Sequence, residues 1–213
     1  MNKAEKHTRK AAGEDPIKRM QIMDGARQVF MRMGYDAASM NDITREAGVS
    51  KGTIYVYFQN KEDLFSALVE LEREKMLAAT RLSLKFNTPI AETLQQYGET
   101  VAKLLTKNSY IRLMRILLGV IDRIPEPSGN FLSCMPMTSR LVLKEYLQTQ
   151  TSAGLLDIDD CELASQQFMD LAYGGLIKKQ LFCQASCEPE IDEIQRVVRS
   201  AVRLFIAGYG KGS

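Results

Sequence analysis

The sequence predicts an all-α protein in which three short N-terminal helices precede a larger helical body. Three observations support this prediction. Apolar residues recur at helical spacing, Gly, Ser and Asn stand where helices should end or begin, and no segment beyond residue 86 alternates with the period of a strand. The chain has 213 residues and a hydrophobic content of 45%, which is enough to bury a core.

Charge and hydropathy restrict the class of protein. No apolar run approaches the roughly 18 residues of a membrane span, and the first 16 residues lack the apolar core of a signal peptide, so we expect a cytoplasmic protein. The net charge of +2 arises in residues 1–63, which carry 11 Lys and Arg against 9 Asp and Glu. The basic tail over residues 1–16 is either a solvated, flexible terminus or a segment that attracts phosphate groups.

Histidine and cysteine usage argues against a metal site and against an enzyme. The cysteines Cys134, Cys161, Cys183 and Cys187 have no CxxC spacing, and His7 is the single histidine. We therefore expect no metal, no cofactor and no Ser-His or Cys-His catalytic pair, and no HExxH or P-loop motif is present. Cys183 and Cys187 stand four apart, which leaves a redox-responsive site as an alternative.

The first two helices are defined by their ends. The first begins near Ile17 and stops at Gly34, a residue that favours a helix C-terminus. Ser39 caps the second helix, and Asp42 three residues later completes the reciprocal capping pattern. Gly48 ends this second helix after little more than two turns.

The third helix is capped by Ser50 and ends near Phe58, so the turn before it is tight. Asn60 caps a long fourth helix that runs toward Leu84. Breaks farther on predict about nine helices in total, with Pro136 either preceding the start of the seventh or kinking it. The second and third helices together form a predicted helix-turn-helix over about residues 39–58.

The outward side of the third helix suits DNA. Lys51 can reach a guanine edge or a phosphate, Gly52 permits close backbone approach, and Thr53 can contact a base edge. Tyr55 and Tyr57 present hydroxyl groups that can donate to phosphate oxygens. The alternative is that these are ordinary surface residues and that one of the tyrosines packs in the small core.

The stretch NDITREAGVSKGTIYVYFQNKEDLFSALV, residues 41–69, resembles the signature of the TetR/AcrR transcriptional regulators. The preceding ARQVF and MGY elements extend the resemblance to about residues 17–69. The resemblance implies a homodimer that binds a near-palindromic operator, with Lys51, Gly52 and Thr53 facing bases and with Tyr55, Tyr57 and Lys61 holding phosphates. The expected DNA-binding residues, from their placement and from this resemblance, are Thr44, Arg45, Ser50, Lys51, Gly52, Thr53, Tyr55, Tyr57 and Lys61.

The rest of the chain is similar to the AefR-like branch of the same family through RLMRILLGVIDRIPE and GLLDIDDCELASQQFMDL. We therefore predict a tail over residues 1–16, a DNA-binding domain over residues 17–63 and a ligand-binding and dimerisation domain over residues 64–213. Apolar and amphipathic candidates for a ligand pocket are Met114, Tyr146, Phe168, Met169 and Tyr173. Wide apolar faces near the end predict a dimer contact through Phe168, Leu171, Gly175, Val198, Val202 and Phe205.

These expectations combine into a repressor that leaves double-stranded operator DNA when a small, apolar effector binds the body. The same pocket residues are also consistent with plain core packing. An architectural DNA-binding protein without a ligand, and a redox-responsive regulator using Cys183 and Cys187, are the alternatives.

Overall fold

The computed structural model describes residues 15–120, 129–182 and 188–211. The N-terminal helices are α1 (Pro16–Ala37), α2 (Met40–Glu46), α3 (Lys51–Tyr57) and α4 (Lys61–Ser83). They are followed by α5 (Ile90–Leu105), α6 (Asn108–Val120), α7 (Gly129–Ser152), α8 (Cys161–Met169), α9 (Gly175–Phe182) and α10 (Ile191–Tyr209). These ranges contain no β-strand, which confirms the predicted all-α class.

The chain divides into two compact units, a head (Met1–Val69) and a body (Glu70–Ser213). The division falls within α4, whereas the sequence places the end of the DNA-binding domain at residue 63. Apolar side chains on α4 up to Val69, among them Leu64 and Leu68, are buried in the described structure. The head therefore includes the first part of α4 as well as the three shorter helices.

The head is held together by a close approach of α1 and α2. A Cβ atom on Gly25 would lie 2.7 Å from the Cβ of Ala47, so only glycine fits there. The side-chain amide of Gln21 donates to the Ala47 carbonyl at 2.6 Å. Both contacts fix the end of α2, where the chain turns toward α3.

The first helix breaks at Gly34, as predicted. Its φ of 77° and ψ of 176° lie outside the helical region, and such a positive φ is easily adopted by glycine. Tyr35 comes after the break and packs against the rings of Phe30 and Phe65, with centroid distances of 5.7 and 4.9 Å. The connection into α2 is therefore folded onto the aromatic core of the head.

The body is built around α5 and α10, which pack directly on each other. A Cβ on Gly98 of α5 would lie 2.6 Å from a methyl group of Val198 on α10. The rings of Phe168 and Phe205 meet edge to face at 5.4 Å between their centroids. Val198, Phe168 and Phe205 belong to one continuous apolar cluster that also includes Leu143 and Tyr146 of α7.

A π-helical segment, Asp170–Gly174, joins α8 to α9 without a break. Counted as one helical run, α8, this segment and α9 reduce the helices of the described ranges to nine, the number predicted. The start of α7 differs from one expectation: this helix begins at Gly129, before Pro136, so the alternative that it starts after the proline is wrong. A proline removes a single backbone donor, and a helix can continue past it with a kink.

Candidate nucleic-acid interface

The N-terminus of α2 carries the reciprocal cap that the sequence predicts. The Ser39 hydroxyl accepts from the Asp42 N–H at 3.2 Å, and the Asp42 carboxylate accepts from the Ser39 N–H at 3.2 Å. The hydrogen bond from Ser39 and the neighbouring Arg45 guanidinium lower the pKa of Asp42. This cap fixes where α2 begins and therefore how it is presented with α3.

The turn between α2 and α3 is tight because Gly48 has a φ of +62°. Ser50 then caps α3, its hydroxyl accepting from the Thr53 N–H at 3.0 Å. The two hydroxyl groups of Ser50 and Thr53 also lie 2.8 Å apart. Ile54 and Phe58 are buried beneath the helix, so the side of α3 that faces away from the core is the predicted one.

We define the α3 outer surface as Lys51, Gly52, Tyr55 and Val56, which are all exposed. Tyr55 is 45% exposed and Val56 is 50% exposed. Val56 was not among the residues predicted from sequence, although its position four residues after Gly52 places it on the same face. Thr53 and Tyr57 flank this surface and are half-buried.

Two predicted residues on α2 have partners within their own helix. The Thr44 hydroxyl donates to the Met40 carbonyl at 2.6 Å. The exposed Arg45 guanidinium lies 2.7 Å from the Asp42 carboxylate. A surface ion pair of this kind is weak, so Arg45 can exchange it for a phosphate at little cost.

Lys61, the predicted phosphate contact at the start of α4, is half-buried and points to the connection before α2. Its ammonium donates to the carbonyl groups of Tyr35 at 2.9 Å, Ala38 at 3.1 Å and Asp36 at 3.5 Å. The same ammonium lies 4.3 Å from the centre of the Tyr35 ring. Within the described residues, the contacts of the Lys61 ammonium are thus with the connection before α2 and not with the α3 outer surface.

The predicted pocket residues lie in the core of the body. Tyr146, Phe168, Met169 and Tyr173 are buried members of its apolar cluster, and Met114 on α6 is half-buried. Among the residues that the structure describes, the buried Tyr146 and Tyr173 hydroxyl groups have no hydrogen bond of good geometry, although the Tyr173 hydroxyl lies close to Ser139 and to Tyr97.

A third buried tyrosine, Tyr97, lies in the same core as Tyr146 and Tyr173. The Tyr97 hydroxyl donates to the Ser139 carbonyl at 2.8 Å. Burial raises the pKa of Tyr97 and of Tyr173, and the two hydroxyl groups lie close enough to interact. Tyr97 is not distinguishable in the sequence from an ordinary core residue, because it follows the same apolar helical spacing.

Four of the predicted dimer residues pack inside the body: Phe168, Val198, Val202 and Phe205 are buried there. A second subunit has no access to these side chains. Leu171 and Gly175, by contrast, are exposed. Four further large apolar residues on these last helices are also exposed, namely Leu163, Phe182, Ile191 and Leu204.

The described ranges contain no cluster of three or more residues suited to binding a metal ion. Within the same ranges, no helix is both long enough and apolar enough to cross a membrane. Cys161 is half-buried and has a free thiol. Cys134, Cys183, Cys187, His7 and most of the basic tail lie outside the residues whose side chains the structure describes, so the redox alternative is not tested.

Family comparisons agree with both halves of the chain. Residues 22–68 match the model for bacterial regulatory proteins of the tetR family. Residues 92–211 match the model for the C-terminal domain of AefR-like transcriptional repressors. The second match covers more than half of the chain and confirms the AefR-like resemblance of the body.

Individual relatives extend this finding. The chain is 36% identical to the transcriptional regulator UidR of Escherichia coli over 162 residues, 74% of this chain and 79% of that protein. It is 48% identical to the fatty acid metabolism regulator of Bacillus subtilis, but over only 59 residues, 28% of this chain and 29% of that protein. A regulator from Mesorhizobium loti has a similar structure, with a TM-score of 0.82 and 25% identity, over 92% of this chain and 98% of that one.

Proposed function

The chain belongs to the TetR family of bacterial transcriptional regulators, and we propose that it represses transcription as a cytoplasmic homodimer bound to a palindromic operator. It is a DNA-binding regulator rather than an enzyme. In this proposal, each subunit inserts α3 into a major groove, with two grooves about 34 to 36 Å apart. A small molecule that binds the body then favours a state in which α4 tilts and this spacing is lost.

The α3 outer surface is the observation that supports DNA binding most directly. Lys51 offers an exposed cation at the beginning of α3, and Gly52 leaves room for a phosphate or base edge. Thr53 contacts a base edge or thymine methyl group, while Tyr55 and Tyr57 donate to flanking phosphates. Ser50 holds the N-terminus of α3, and Arg45 and Thr44 contact the phosphates of the adjacent DNA backbone.

The test is to select a duplex from a randomised pool with the wild-type protein and then to footprint it. One protected palindrome supports the proposal, whereas uniform coverage of all duplexes favours an architectural protein. Thr53→Ala should change the ranking among selected duplexes. Thr149→Ala, an exposed threonine of the body, is the matched control and should leave the ranking unchanged.

The dimer contact is proposed on the exposed apolar residues of α8 to α10, namely Leu163, Leu171, Gly175 and Leu204. Leu204 is 53% exposed and Leu171 is 46% exposed, and burying such groups against a second copy removes apolar area from water. Leu204→Glu should shift the sedimentation of the protein to that of a monomer. Leu82→Glu, at an 81% exposed leucine on α4, is the control that should remain dimeric.

The effector is proposed to be a largely apolar molecule that carries a hydrogen-bond acceptor. A buried hydroxyl group without a good partner is costly, and a ligand oxygen beside Tyr146 would accept a hydrogen bond from it. A panel of apolar carbonyl compounds and phenols can be screened by thermal denaturation, since a ligand of the native state raises the melting temperature. Each stabilising compound should also weaken binding to the selected duplex; stabilisation with unchanged DNA affinity would contradict the regulatory part of the proposal.

A further inference from the structure

We propose that Lys61 is a positioning residue that ties the start of α4 to the start of α2, instead of a residue that binds a phosphate. The three carbonyl groups that its ammonium contacts all belong to the connection between Gly34 and α2. A lysine ammonium has three N–H donors. Two of these donors meet carbonyl oxygens of the head at ordinary hydrogen-bond distances, and the third faces a longer contact at 3.5 Å, so the ammonium is already engaged within the head.

The first turn of α4 holds Tyr35 at two points. The Lys61 ammonium lies over the ring face, 4.3 Å from its centre, and the Tyr35 hydroxyl donates to the Glu62 carboxylate at 2.9 Å. The ring is buried against Phe65, which is also on α4. The Tyr35 side chain is thus held by three residues of α4: by the cation of Lys61, by a hydrogen bond to Glu62 and by packing on Phe65.

This arrangement bears on DNA binding because the connection leads directly into α2. Ala38, whose carbonyl accepts from Lys61, immediately precedes Ser39, the residue that caps α2. A shift at Ala38 would move the N-terminus of α2, and with it α3 beyond the tight turn at Gly48. Lys61 therefore sets the placement of the α3 outer surface without touching DNA itself.

The chemistry of the contact also distinguishes lysine from arginine. Three carbonyl oxygens converge on a compact point charge, whereas a planar guanidinium directs its donors in a fixed fork. Phosphate groups, by contrast, accept arginine at least as well as lysine. Replacing Lys61 by Arg therefore separates the two roles.

The experiment compares Lys61→Met, Lys61→Arg and, as a matched control, Lys51→Met on the exposed start of α3. Each full-length variant is tested for melting temperature and for affinity to the duplex selected by the wild-type protein, at several salt concentrations and at a low temperature at which it is folded. We expect both Lys61 variants to melt about 3 to 8 °C lower and to bind about tenfold more weakly. The slope of log affinity against log salt should not change.

The control should behave in the opposite way. Loss of a phosphate contact flattens the salt slope by about 0.9 for each contact, so Lys51→Met should flatten it by about 1.8 per dimer at an unchanged melting temperature.

Should Lys61→Met flatten the slope while Lys61→Arg restores wild-type binding and stability, Lys61 binds phosphate and our inference is wrong. A Lys61→Met chain that fails to fold supports the inference, because a phosphate contact has no role in folding without DNA. None of these outcomes depends on the effector, and failure of the wild-type protein to select a duplex would reject the proposed function separately.

Discussion

Gly52 offers a substitution that should make the protein more stable and a weaker DNA binder at once. It is the second residue of α3 and is exposed on the α3 outer surface. A Cβ atom built there would have Ser50 Oγ, at 3.9 Å, as its nearest neighbour, which is ordinary van der Waals contact. Gly52→Ala therefore introduces no strain into the free protein.

The two magnitudes can be worked out from this geometry. Alanine is favoured over glycine within a helix by about 0.5 to 1 kcal/mol, so the melting temperature should rise by roughly 1 to 4 °C. Against DNA, an added methyl group in a closely packed contact costs about 1 to 3 kcal/mol per subunit. Since about 1.4 kcal/mol corresponds to a factor of ten, each recognition helix should lose at least about fivefold in affinity.

Fluorescence anisotropy with the selected duplex measures the loss in affinity, and calorimetry of the free protein measures the gain in stability. Gly25→Ala is the informative contrast, because its Cβ would meet backbone atoms of Ala47 at 2.8 Å and should lower both stability and affinity. A Gly52→Ala protein that is more stable and binds DNA as tightly as the wild type would show that the backbone of α3 does not approach the groove.

Two further predictions concern the body. Gly98→Ala should lower the free energy of unfolding of the body by about 1 to 3 kcal/mol, because the new methyl group would lie 2.6 Å from Val198. Gly119→Ala should not lower it, because no atom lies within 4 Å of its Cβ. Urea denaturation of both variants measures the difference. Burial raises the pKa of Tyr97 and Tyr173 above the ordinary 10.0, so the folded state keeps protons that the unfolded state releases, and stability should be fully present below about pH 10 and fall as the pH rises further. Tyr97→Phe and Tyr173→Phe should each make that fall less steep in unfolding experiments at about pH 9 and about pH 11, and an unchanged slope would contradict the burial argument.

Local signals account for most of what the sequence predicts about the head. The Ser39 and Asp42 cap, the Ser50 cap and the breaks at Gly34 and Gly48 each depend on interactions within a few residues. Such short-range chemistry is encoded by residue type and spacing alone. For the same reason the inward side of α3, and hence its outer surface, can be predicted from the positions of the apolar residues.

The packing of the body is less predictable, because the apolar face of a helix does not identify the element that covers it. Val198, Val202 and Phe205 share a wide apolar face on α10, and their spacing is equally consistent with a partner subunit and with the chain's own α5. In the structure α10 packs on α5 and the π-helical segment of its own chain, with Val198 beside Gly98 of α5 and Phe205 against Phe168 of α8. Leu204, which remains exposed beside them, is the residue that periodicity alone does not single out.

Lys51 and Lys61 have roles that the sequence alone does not distinguish. Lys51 and Lys61 each stand at the first residue of a helix, and a cation at such a position matches a phosphate contact in either case. What separates them is the partner that the fold supplies: Lys61 reaches carbonyl groups 23 to 26 residues away, and Lys51 stands exposed. A lysine already held by half-buried carbonyl contacts must give them up before it binds a phosphate, and one surface ion pair offers little in exchange. The exposed cation at the start of α3 is therefore the one we expect to carry the salt dependence of DNA binding.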